Sequence, residues 1–183
     1  MSIARLPRLF VAAGTRRGLL TFAALTLISG AAMLPTIATM ADHGASVLAF
    51  EGAGSVARSQ EIVAEWGSAG KMAMRWQLVL DTPFLVGYGL FLAGACAAVA
   101  RQASWAERFR LERAAVALAW LGPIAAAADL LQNVSLALVL FGHASQPWPR
   151  ISAVAGLTTT CFCTAAALFA LAGALATRRS RRS

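Results

Sequence analysis

The chain has 183 residues, 58% of them hydrophobic and 13% charged. Soluble globular proteins run at roughly 45–50% and about 25%, so these fractions, with a mean hydropathy of +0.66, exclude an ordinary soluble enzyme. A net charge of +8 and a pI near 11.2 would point to nucleic acid in a soluble chain, but in one this apolar they point to a membrane.

Four apolar stretches, residues 18–40, 78–100, 116–140 and 151–176, are each long enough to cross a hydrocarbon core of about 30 Å as a helix. Their Ala/Leu/Gly-rich, non-alternating pattern favours helices over barrel strands. Before the first span stand Arg5, Arg8, Arg16 and Arg17. The run from Thr15 to Leu20 resembles a twin-arginine export motif, but the apolar run behind it is too long, and it reads as an uncleaved first helix.

Residues 41–76 form the outer segment, too small to bury a core of their own, so they must lean on the spans or the bilayer. Within them Ser55 is placed to cap a helix that ends at Gly67. Val56, Ile62, Val63 and Trp66 form its apolar stripe, opposite Arg58, Glu61 and Glu65. This predicts a short amphipathic helix across the outer mouth of a bundle. Trp76 and Trp148 at the outer ends of spans, and Trp105 at an inner end, read as interfacial anchors.

After the second span come Arg101, Arg108, Arg110 and Arg113, and the tail, residues 177–183, is again arginine-rich. Twelve of the sixteen basic residues therefore fall on one side, opposed only by Glu107 and Glu112, and the other side sums to zero. Positively charged loops stay cytoplasmic, so both termini are placed in the cytoplasm and the protein in the cell inner (plasma) membrane. The predicted fold is all-α: one integral membrane domain, a four-helix transmembrane bundle with a short outer amphipathic helix between the first and second spans.

The only formal charges inside the predicted spans are Asp81 and Asp129. An ionisable side chain in a membrane helix costs on the order of 2.5–3.5 kcal/mol on insertion scales, so it faces the interior and marks a candidate site. Gln77, Asp81, Leu85 and Tyr88 recur at helical spacing on one face of the second span, and Asp129 and Asn133 are one turn apart on the third, with Gln132 beside them. Counting along each span at about 1.5 Å per residue puts Asp81, Tyr88, Asp129, Asn133 and Thr159 at or outward of the midplane. Thr26, Ser29, Met33 and Thr36 line the same range on the first span. These residues predict a polar cavity opening outward, with Asp81, Tyr88, Asp129, Asn133 and Thr159 as its ligand-binding set.

The competing account is packing: interhelical hydrogen bonds for the acids and amides, and bonds to their own backbone for Thr158, Thr159 and Thr160. Gly87, Gly89 and Gly94 read as points of close helix approach. Pro35 and Pro123 are expected to kink their helices, whereas Pro83 falls near a predicted span start, where proline is cheap. Cys96, Cys161 and Cys163 make an odd count without metal-ligand spacing, and no metal or cofactor motif is present.

The run Phe50-Glu51-x-Ala53-Gly54, then Trp66-Gly67, Leu80-Asp81-x-x-Phe84-x-x-x-Tyr88 and Ala128-Asp129-x-x-x-Asn133 resembles an uncharacterised family of bacterial four-helix integral membrane proteins over roughly residues 48–165. In that family the residue before the Asn is often Glu and the fourth helix often carries Lys. Gln132 and the absence of a Lys on the fourth span imply that a buried ion pair is missing here as a unit, and with it chemistry depending on that charge. The resemblance implies architecture and site location and brings no activity.

Three functions are compatible with these residues. The expected one is binding or carrying a lipophilic small molecule or lipid in the outward cavity, with the bilayer as the other partner and no nucleic acid. The alternatives are a lipid-modifying enzyme of isomerase or cyclase type using the buried Asp residues, and a structural or accessory subunit. Either carboxyl group, when protonated, offers a hydrogen-bond donor or a general acid.

Overall fold

The computed structural model describes residues 6–143 and 145–179, with side chains through Thr177. Among the described residues there are eight helices and no strand: α1 (Arg8–Ala13), α2 (Arg16–Asp42), α3 (Val47–Glu51), α4 (Val56–Glu65), α5 (Gly67–Trp105), α6 (Phe109–Leu118), α7 (Leu121–Leu140) and α8 (Trp148–Arg179). Four helical stretches are long and apolar enough to cross a membrane: α2, α5, α6 with α7, and α8. Their large apolar side chains point outward, with Leu27 73% and Leu157 66% exposed, while Gln77, Gln132, Ser135 and Ser152 are buried. That inverts the soluble rule and suits hydrocarbon as solvent.

The 39 residues of α5 extend about 58 Å at 1.5 Å per residue, nearly twice a hydrocarbon core. The helix begins at Gly67, eleven residues before the predicted span, so the segment outside long helices ends at Trp66. Pro83 consequently sits deep inside a helix, where its missing N–H frees the Val79 carbonyl. Pro123 instead falls in the first turn of α7, just after the break at Ala119 and Trp120, and Pro35 lies within the unbroken α2. The expected roles of Pro83 and Pro123 are thus exchanged, because apolarity marks where a helix enters lipid and not where it begins.

The chain divides into two compact units, and each long stretch contributes to both. The first comprises the described residues of Met1–Thr26, Val86–Ala126 and Thr160–Ser183. Its core is built from small side chains, Ala93, Cys96, Ala97, Val99, Ala100, Ala115, Val116 and Ala119, closed by Leu6 and Phe10. Small residues let backbones touch. A Cβ on Gly122 would lie 2.4 Å from the Gly89 carbonyl oxygen, and one on Gly94 2.6 Å from the Ala13 carbonyl oxygen. Gly89 and Gly94 therefore serve the close approaches read from the sequence. Arg101 donates through Nη2 to the Gly14 carbonyl at 2.9 Å and Arg108 through Nη1 to the Ala176 carbonyl at 3.2 Å, so both guanidiniums cover carbonyls at helix ends.

The second unit comprises Leu27–Leu85 and Ala127–Thr159. Here α4 starts where Ser55 accepts a hydrogen bond from the Arg58 N–H at 3.3 Å and ends before Gly67, whose φ of +57° a side chain would strain. Ile62 and Trp66 turn inward and Arg58, Glu61 and Glu65 outward, as the apolar stripe predicts. Trp66 is wholly buried, meets Phe50 edge-on at 4.9 Å and donates its indole N–H to the Ala45 carbonyl at 2.6 Å. Met74, Leu136, Val139 and Leu140 complete this core, so the connecting segment does lean on the long helices. Trp66→Phe keeps most of the buried ring but orphans the Ala45 carbonyl; it is expected to lower unfolding free energy by about 1–2 kcal/mol, measured by thermal or denaturant unfolding in detergent.

Candidate functional site

The second unit holds the acids. Asn133 on α7 donates through Nδ2 to Asp81 Oδ2 on α5 at 2.5 Å. The stripes read on the second and third spans therefore meet at their polar residues. One turn earlier on α5, Thr36 Oγ1 of α2 lies 2.5 Å from Gln77 Oε1, and Gln77 Nε2 lies 3.1 Å from Met33 Sδ. Each amide is held by a neighbouring helix, which fixes the register of the acids between them.

Glu51, the last residue of α3, joins this group, although it is not among the predicted ligand-binding residues. Its side chain is hydrogen-bonded to Gln132, and its carbonyl accepts from the Ser152 hydroxyl of α8 at 3.2 Å. Burial pushes its pKa up to about 7; the neighbouring carboxylates of Asp129 and then Asp81 add to the rise, and the Gln132 hydrogen bond opposes it. Gln132, only 5% exposed, is seated over Gly156, where a Cβ would come within 2.8 Å of its amide nitrogen. One signal for Glu51 was available in the sequence: it stands in the Phe50-Glu51-x-Ala53-Gly54 run that carries the family resemblance.

Of the predicted set, Asp81, Asp129, Asn133 and Thr159 belong to this unit and Tyr88 to the first, where it is buried. Asp129 and Thr159 are half-buried and partnered. Thr158 bonds back to the Val154 carbonyl at 2.8 Å, the packing role that membrane threonines commonly take. Cys96 is buried, Cys161 exposed and Cys163 between them. Among the described residues no three His, Cys, Asp or Glu side chains converge as metal ligands.

Two open clefts lie in the same unit. One, about 430 Å³, is walled by Ala128, Leu131, Ile151, Val154, Ala155 and Thr158 with Arg150 at one end. The other, about 600 Å³, is walled by Leu78, Val79, Thr82, Pro83, Ala137 and Phe141 with Arg75 at one end. No family model, curated protein or solved structure matches the chain, so its residues and geometry carry the functional argument.

Proposed function

We propose that this chain is a multi-pass protein of the inner (plasma) membrane, its four spans packed as a bundle, its termini cytoplasmic and its segment 43–66 on the outer side. The charge asymmetry supports that orientation. Its role is to bind or carry a lipophilic small molecule or lipid whose polar group hydrogen-bonds to the acid–amide cluster.

The observation that carries this reading is the gathering of Glu51, Asp81 and Asp129 with Gln132 and Asn133 in one unit whose flanking helix surfaces form apolar clefts. Three carboxyl groups in one place are more than helix packing needs, and the two within spans, Asp81 and Asp129, each add an insertion penalty. A second reading, acid–base chemistry of isomerase type on the bound lipid, draws on Glu51, because a carboxyl titrating near 7 is suited to exchange protons at neutral pH.

The test is mass spectrometry of what copurifies in mild detergent. One lipophilic species near stoichiometric amounts, lost in Asp81→Asn and Asp129→Asn while both variants stay folded with thermal midpoints within a few degrees of the wild type, is the expected result. Bulk lipid alone in the wild type overturns specific binding. Conversion of the retained species by wild type but not by Glu51→Gln would establish the enzyme.

A further inference from the structure

The two clefts share a plan that the acid cluster does not explain. Each has apolar walls and a single cation at one end: Arg150 in the first turn of α8, and Arg75 on α5. From Arg150 to Thr158, and from Arg75 to Pro83, is eight residues, or about 12 Å of helix, leading from the charged end into the apolar stretch. The deeper threonines add little polarity, since Thr158 and Thr82 hydroxyls turn back to the carbonyls of Val154 and Leu78.

Both arginines are exposed, and among the described residues neither guanidinium makes a hydrogen bond or an ion pair. Arg75 is held at its cleft end by the Phe141 ring, 5.2 Å from its guanidinium carbon. Three other arginines are engaged within the chain: Arg101 and Arg108 cover carbonyls and Arg58 pairs with Glu61. Trp76 adjoins Arg75 and Trp148 lies two residues before Arg150, and indoles favour the headgroup level. An unpaired guanidinium at that level, above an apolar trough, is complementary to a phosphate carrying acyl chains.

We propose that these two clefts seat the acyl chains of membrane glycerophospholipids, with the guanidiniums of Arg150 and Arg75 on their phosphates. The proposal rests on the membrane placement above and not on the ligand of the acid cluster. It makes the second unit a surface that holds two outer-leaflet phospholipids beside the cluster.

Native mass spectrometry of the delipidated full chain, titrated with phosphatidylglycerol and with diacylglycerol of the same chains, tests it. The wild type should take up two phosphatidylglycerols, Arg75→Gln and Arg150→Gln one each, and the double variant none, with diacylglycerol bound about ten-fold more weakly than phosphatidylglycerol by the wild type. Glycerol phosphate, which has the anion without the chains, should not compete. Equal uptake by wild type and double variant, equal uptake of diacylglycerol, or competition by glycerol phosphate overturns the proposal. Those results leave the lipophilic-ligand reading standing, because its ligand is lost with Asp81→Asn and Asp129→Asn. Thermal midpoints of the arginine variants should match the wild type, since both side chains are exposed.

Discussion

Glu51→Gln is expected to remove most of a pH dependence of stability that the wild type shows between about pH 4.5 and pH 7. In the folded chain the Glu51 carboxyl titrates at about 7, against 4.5 when exposed. The folded state therefore binds this proton more tightly than the unfolded state does. Stability from this group is complete below pH 4.5, falls as the pH rises toward 7 and is flat above it. Integrated over that interval the loss is up to about 3 kcal/mol. Glutamine mimics the protonated carboxyl in shape and can still meet Gln132, so the variant should be at least as stable as the wild type at pH 8 and nearly level across the range. Denaturant unfolding in detergent from pH 4.5 to 8 measures this. An unchanged slope in Glu51→Gln would assign the pH dependence to other groups and remove Glu51 from the acid cluster.

The elements of this fold that follow from solvent preference were legible in the sequence. The long apolar runs, the Ser55 cap, the stop at Gly67 and the inward face of α4 each follow from local residue chemistry, and the structure holds all of them. The start of α5 was hidden because Lys71, Arg75 and Trp76 end an apolar run without ending a helix. The meeting of Asp81 with Asn133 is consistent with the two polar stripes, since each is on the face its spacing predicts. Glu51 was not legible by that logic. It sits in a five-residue helix with no periodicity to read, and its surroundings come from Gln132 and Ser152, about 80 and 100 positions further along the chain. Long-range partners of a residue in a connecting segment leave no local pattern, and here they set the half-buried Glu51 among other carboxyl groups.

Asn133→Leu is expected to be among the most disruptive single changes in the second unit, and the reason separates packing from function. The hydrogen bond it removes is worth little by itself, since interhelical bonds in membranes average about 0.6 kcal/mol and reach about 1.7. What it leaves behind is Asp81 without its amide donor, and a carboxylate in a span costs about 2.5–3.5 kcal/mol. The second effect dominates, so the loss should approach 3 kcal/mol, whereas Asp81→Asn, which keeps a polar partner, should lose about 1 kcal/mol or less. The double variant Asp81→Leu/Asn133→Leu removes donor and acceptor together and should regain most of the stability lost by Asn133→Leu; with the single Asp81→Leu it closes a double-mutant cycle whose coupling is favourable. Ligand retention then discriminates. If the pair only packs helices, the double variant recovers the copurifying molecule along with its stability. If Asp81 serves the ligand, stability returns and the molecule does not.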